Sequence, residues 1–314
     1  MSGDPNCEAV MLIGFGGPTT DAEVRPFLNR VLAGKRVPLD RYEEVVRHYQ
    51  VLGGRSPYNE ITMRQAAAVT RKLRLRGIQA PVVAGFLHMP PFLDDALRDL
   101  EKRGVGRALG FVLAPHRCEA SWERYLAAMK SVRKDLGGGA PEVDYPSPWH
   151  EQSLFVAAVV DRIRAAVEQL DPPVRERTHL IFTAHSIPLP MDNRAGYVEQ
   201  LNQSARRIAQ QLGWSHWTVA FQSRSGSRGD PWLEPDIKDI LRGLAGQQAV
   251  VMPLGFTCDH VEVLYDLDVE AAAVAREAGV RMVRAATVGE HPKFIDMIAT
   301  IAAEHLSSTS QPPA

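Results

Sequence analysis

The stretch His179-Leu180-Ile181-Phe182-Thr183-Ala184-His185-Ser186-Ile187-Pro188 decides the reading of this chain. Residues 179–183 form a short, nearly continuous apolar run, the pattern of a parallel strand covered on both faces. His185 follows after Ala184, which puts an imidazole at the carboxyl edge of a central strand. In open α/β sheets that edge borders the ligand crevice. An imidazole there can act as a base or a metal ligand near neutral pH. It can equally do no more than bond to the backbone, and position alone leaves both readings open.

Working outward, similar runs recur at 10–15, 81–86, 108–115, 218–222, 249–256 and 282–286. Helical patterns lie between them at 59–77, 91–103, 119–136, 151–170, 194–212, 234–244, 259–278 and 292–305. Asn59 is placed to cap the first of these, and Gly77, Gly213 and Gly279 to end three others. The alternation predicts an α/β fold with parallel sheets flanked by helices. Three glycines and three prolines interrupt it at 137–149. The chain therefore divides into two doubly wound halves, 1–148 and 149–314, with a cleft between them.

A length of 314 residues suits two such units. Thirty-six basic side chains against 37 acidic ones argue against nucleic acid as a partner. Cys7, Cys118 and Cys258 are scattered, with no CxxC pair, so they read as reduced thiols. Residues 1–8 carry acidic side chains and no basic or apolar block, so a signal peptide is not expected. No apolar run approaches the roughly 20 residues that span a bilayer. A cytoplasmic protein is the expectation, with at most an apolar lip near the cleft in weak contact with lipid.

Gly14-Phe15-Gly16-Gly17-Pro18 follows the first strand. It is not GxGxxG, and Pro18 removes a donor that a phosphate would use. It reads as a close-approach loop at a strand end. A second constellation, Asp259-His260-Val261-Glu262, follows the strand at 249–256. In the helix beyond it, Glu262, Asp266 and Glu270 recur at i, i+4 and i+8, one stripe on an α-helix. Such a stripe is either a solvated acidic face or a row that passes cations inward and protons outward. His185 and Glu262 would give one nitrogen and one oxygen donor from different strand ends. Two donors plus solvent suit a borderline cation in transit, where a structural zinc site wants four.

These residues resemble a known family. Phe182-Thr183-Ala184-His185-Ser186-Ile187-Pro188, Phe221-Gln222-Ser223-Arg224-Ser225-Gly226, Trp232-Leu233-Glu234-Pro235-Asp236-Ile237 and the run GFTCDHVEVLYDLD at 255–268 look like signature segments of ferrochelatases. So do Gly16-Gly17-Pro18, His48-Tyr49 and Gly53-Gly54-Arg55-Ser56-Pro57. The closest likeness is to the coproporphyrin III enzymes of high-GC Gram-positive bacteria. The resemblance implies two Rossmann-like domains of the class II chelatase kind, with a porphyrin cleft between them and the last helix packed back on the first domain. It implies insertion of ferrous iron, as a substrate, into a porphyrin. It casts His185 and Glu262 as catalytic and metal-holding residues and Asp266 and Glu270 as the proton and metal path. Phe15, His48, Tyr49, Ser56 and Tyr125 would touch the porphyrin or its propionates. A haem-acceptor protein is a further implied partner.

The chain departs from the family in places. Phe15 stands where some members carry a tyrosine able to ligate iron, and Leu32 and His48 stand where some carry arginine. Propionate contacts would then come from Arg30, Lys35, Arg36, Arg47 or Arg55. Some members bind a [2Fe–2S] cluster through four cysteines; this chain has three, so no permanently bound cofactor is expected. Two other readings compete: a cobalt or nickel chelatase for another tetrapyrrole, and a non-catalytic haem or porphyrin carrier. A carrier would need no acidic row.

Overall fold

A computed structural model describes residues 7–170, 178–225 and 231–306. Residues 1–8 are described only from Cys7, and the tail at 307–314 and Gly226 of the FQSRSG run lie outside the described residues.

Two four-stranded sheets carry the fold. The first holds β1 (Ala9–Gly14), β2 (Val82–Phe86), β3 (Arg107–Val112) and β4 (Glu142–Asp144) in the order β2-β1-β3-β4. The second holds β5 (His179–His185), β6 (Trp217–Gln222), β7 (Gln248–Met252) and β8 (Arg281–Arg284) in the order β6-β5-β7-β8. Every pairing is parallel. The two orders are the same topology repeated. In each, the chain leaves its first strand toward one neighbour and later returns to the other side. The crevice at such a switch point opens at the carboxyl ends of β1 and β3, and of β5 and β7. Thr257 Oγ1, just after β7, donates to the Leu113 carbonyl just after β3 at 3.1 Å. The two crevices therefore face each other.

All seven expected strands are present. β4 lies inside the segment read as a break, and it is too short to leave a periodic signal. That segment is no loose linker either. Trp149 is fully buried, stacked on Phe111 at 5.3 Å and edge-on to Phe155 at 5.2 Å. One apolar core runs through both sheets, from Val10 and Phe111 to Phe182 and Phe294. The closing helix Pro292–His305 packs on Tyr58–Leu75 and Ser153–Val167. Lys72 pairs with Asp296 at 2.8 Å, and the Cys7 N–H donates to the His305 carbonyl at 2.8 Å.

Several helix readings change. Asn59 is not a cap: the helix Tyr58–Leu75 follows Pro57, and the buried Asn59 amide accepts the Gly17 N–H at 2.9 Å and donates to the Pro90 carbonyl at 3.3 Å. The pattern at 119–136 is a π turn, Glu119–Glu123, followed by the helix Arg124–Leu136. The pattern at 259–278 is Val261–Tyr265, a π stretch Asp266–Ala271, and Ala272–Glu277. Three helices, Asp21–Val31, Leu39–Val51 and Leu189–Ala195, were not expected. Pro26 hides the first. Its Thr20-x-x-Glu23 capping box marks the start, with Glu23 Oε2 accepting the Thr19 and Thr20 N–H groups at 2.7 and 3.3 Å.

Candidate active site

Sheet pairing carries His185 to the cleft as the last residue of β5. Its Nδ1–H donates to the Ser186 carbonyl, which turns Nε2 toward Glu262 Oε1 at 3.6 Å. One ring nitrogen therefore bonds to the backbone, and the other faces the carboxylate. Glu262 arrives from the loop after β7. A Cβ on Gly255 would lie 2.7 Å from the Ala184 Cβ, so only glycine lets this loop cross the end of β5. His260 caps the helix that follows, its Nδ1 accepting the Glu262 N–H at 3.3 Å. The Gln222 amide, at the end of β6, donates to the Glu262 carbonyl.

His185 and Glu262 lie deep in protein, yet their side chains remain 30% and 42% exposed, open toward the cleft. Burial opposes the charge on His185, but the Glu262 carboxylate outweighs it and holds the imidazole well above its usual range. Burial likewise opposes the charge on Glu262, and His185 and His260 hold it well below the carboxylate range. The free protein thus keeps an imidazolium facing a carboxylate. Burial pushes His260 down from its usual range.

The acidic row exists, but it is not one α-helical stripe. The π stretch holds more residues per turn, so the three acids diverge. Glu262 meets His185, Asp266 accepts from the Ser223 hydroxyl, and Glu270 pairs with Lys238 Nζ at 3.2 Å. Burial, reinforced by Glu262 and Glu270, raises Asp266 to about 7. Lys238 lines a cavity of about 580 Å³ together with Ser186, Phe221 and Asp236. Arg284 clamps this element to β8, bonding Asp268 at 2.6 Å and Asp259 at 3.3 Å.

The opposite wall comes from the first sheet. Phe15 follows β1 and stands edge-on to His88 at 4.6 Å and to Phe27 at 6.1 Å. Tyr49, Ser56 and Tyr125 are buried, at 3%, 6% and 6% exposure. Burial raises both phenols, so each stays a neutral donor; Glu262 adds to this for both, while Arg124 opposes it for Tyr125. Ser56 supports the close-approach loop: a Cβ on Gly17 would lie 2.7 Å from the Ser56 Cβ. The ring of His48 stacks on Tyr265 at 3.7 Å, joining the two walls. Of the cations expected at the mouth, Arg30 is turned inward, its Nε donating to the His88 carbonyl at 2.7 Å.

The sequence reading passed over His88, Lys238 and Arg284, and quoted Ser223 and His260 without giving either a task. The last could have been found, since a histidine two residues before Glu262 and just ahead of an apolar run stands at a cap position. Among the described residues, no group of three or more His, Cys, Asp and Glu side chains is arranged to hold a metal ion. The three cysteines are buried and none is in a disulfide. No described helix is long and apolar enough to cross a membrane.

The repeated topology and facing crevices are those of chelatases. The chain is similar to CbiX, the terminal enzyme of siroheme biosynthesis in denitrifying bacteria, with a TM-score of 0.56 and 20% identity over 95% of this chain and all of that one. It is similar to SirB from Bacillus subtilis, with a TM-score of 0.59 and 14% identity over 96% of each. At these identities the likeness speaks for the fold. Sequence goes further: the chain belongs to the ferrochelatase family, whose profile matches residues 7–306. It is 37% identical to the ferrochelatase of Rhodopirellula baltica over the whole chain and 90% of that protein. It is 40% identical to the coproporphyrin III ferrochelatase of Propionibacterium freudenreichii, over 96% of this chain and 88% of that one. With that of Nocardia farcinica it shares 38% over 95% and 88%. The chain is a porphyrin metal-inserting enzyme.

Proposed function

We propose that this enzyme, a lyase of haem biosynthesis, inserts ferrous iron into coproporphyrin III in preference to protoporphyrin IX. The observation that carries the reading is the His185–Glu262 pair, 3.6 Å apart at the switch point of the second sheet. Insertion replaces two pyrrole N–H protons by one dication. His185 in its neutral form and Glu262 as an anion supply the base and the transient oxygen donor. Each holds the other charged in the free protein, so an arriving dication takes the Glu262 carboxylate and frees His185 to lose its proton. That proton leaves toward Asp266 and solvent, and the two pyrrole protons then depart one after the other through His185 by the same route. Asp266, poised near neutral pH, and Glu270 form the onward path for protons or for incoming metal.

Phe15, His48, Tyr49, Ser56 and Tyr125 make the porphyrin wall, with neutral phenols to face carboxylates. A rigid cleft assists by binding a bent macrocycle better than a flat one. The names of the Nocardia and Propionibacterium relatives support the four-propionate substrate. We take the reaction to be cytoplasmic, with the cleft handing its product to a haem-acceptor protein. We propose no resident cofactor and no [2Fe–2S] cluster, in keeping with three separate buried thiols.

Anaerobic mixing with ferrous iron and each porphyrin, followed by absorption, tests the proposal. A larger kcat/KM with coproporphyrin III is expected. A preference for protoporphyrin IX overturns the substrate assignment, and insertion of cobalt or nickel but not iron overturns the metal.

A further inference from the structure

Three cations gather around one imidazole on the Phe15 wall. Arg124 Nη2 donates to His88 Nε2 at 3.0 Å, and its guanidinium stands 5.8 Å from the centre of the Phe15 ring. Arg30 bonds the His88 carbonyl at 2.7 Å and reaches Met89 Sδ at 2.9 Å. Lys35 lies near enough for Arg124 to disfavour its charge, after burial has done most of that work. His88 is only 7% exposed, and burial followed by Arg124, Arg30 and Lys35 pushes it down to about 4. It is a neutral acceptor that orients Arg124.

Among the described residues, no carboxylate stands within ion-pair distance of Arg30, Lys35 or Arg124. Elsewhere in the chain such pairing is frequent, as in Arg25–Glu43 at 2.7 Å or Arg107–Asp144 at 2.7 Å. Gathering like charges on a partly buried wall costs free energy that an arriving anion returns. Position fixes what kind of anion. Phe15 continues β1 into the first crevice, and Tyr125, next to Arg124, lies within the field of Glu262. Two neighbouring positions cannot serve: Leu32 is apolar, and the His48 ring is occupied by Tyr265.

We propose that Arg124 and Lys35, with Arg30 behind them, form a carboxylate-binding subsite that takes a propionate side chain of the tetrapyrrole. The inference rests on the porphyrin reading above and adds to it where this chain anchors its substrate. Arg124 is the main donor, because a guanidinium already oriented by His88 meets a carboxylate with two parallel N–H groups. Lys35, at the exposed rim, contributes as a point charge.

Binding of metal-free coproporphyrin III and of its tetramethyl ester, in the same mild detergent and read by porphyrin fluorescence, tests the subsite. The variants are Arg124→Met and Lys35→Met. Arg124→Met should weaken binding of the acid by roughly tenfold or more, and Lys35→Met by about threefold, with ester binding unchanged in both. Equal losses for acid and ester overturn the proposal, because Arg124 would then only shape the wall. Unchanged acid binding in Lys35→Met, whose exposed side chain leaves the fold intact, removes Lys35 from the subsite. A wild-type protein that binds neither porphyrin sinks the porphyrin reading itself, and the subsite with it.

Discussion

The imidazole of His48 lies flat on the phenol of Tyr265, ring centres 3.7 Å apart and planes within 13°. The first belongs to the helix Leu39–Val51 and the second to the helix that carries Glu262, so one aromatic pair spans the cleft. Stacked rings contribute about 0.5–1.5 kcal/mol beyond their burial. His48→Ala should therefore open the lip, speeding both association and dissociation of metal-free porphyrin by roughly two- to tenfold. Stopped-flow fluorescence measures both rates; rates equal to wild type would show that the stack does not gate entry.

His185→Ala and Glu262→Gln should each cut metal insertion by about 10²-fold or more, the usual worth of a positioned acid or base. Porphyrin affinity should stay within about threefold, since neither residue forms part of the aromatic wall. Parallel measurement of turnover and of metal-free porphyrin binding separates the two effects. A variant that metallates at the wild-type rate removes its residue from the mechanism.

Asp266 gives a pH signature with a definite sign. Its carboxyl is raised from 3.8 to about 7 in the fold, so between those values folding takes up a proton and stability falls as pH rises. Asp266→Asn abolishes that slope. The variant should match wild type near pH 4 and exceed it by about 1–2 kcal/mol at pH 8, after allowance for solvent screening. Urea unfolding at both pH values decides this; parallel stability profiles would mean that Asp266 titrates normally. Asp266→Asn and Glu270→Gln should also lower insertion in graded fashion, most at low metal concentration.

Gly17 and Ser56 should be coupled. A methyl at position 17 would sit 2.7 Å from the Ser56 Cβ, so Gly17→Ala overpacks the loop and should cost about 1–3 kcal/mol. Adding Ser56→Gly removes the obstructing carbon and should restore about 1 kcal/mol or more. Additive losses in denaturant melts would show that the clash is relieved by backbone movement instead.

The sequence disclosed what depends on local pattern. Strands such as His179–His185 are apolar runs with few alternative readings, and the imidazole at the end of one was visible with them. Glu262 was visible as part of the acidic spacing. What escaped depends on contacts across long separations or on irregular backbone. The π stretch at Asp266–Ala271 has the composition of an α-helix and differs only in hydrogen-bond register. Asn59 has the residue type of a cap, but bonds to Gly17 and Pro90 took it elsewhere. The cations around His88 come from separated parts of the chain, at 30, 35 and 124, and only tertiary packing brings them together. Pro26 concealed a helix because a proline in a helix interior is costly, yet here it stands inside Asp21–Val31, sixth of its 11 residues.

The closing helix has a consequence for synthesis. A ribosome that has made residue 148 has completed all four strands of the first sheet, β1 through β4. It has not made Phe294, Ile298 or Ala302, which cover that sheet's flank together with the helix Tyr58–Leu75. Half of the protein must therefore wait, its apolar flank uncovered, while more than another hundred residues emerge. The amino-terminal half can finish folding only when the helix Pro292–His305 has emerged, and a nascent chain stalled between the halves is the species a chaperone would have to hold.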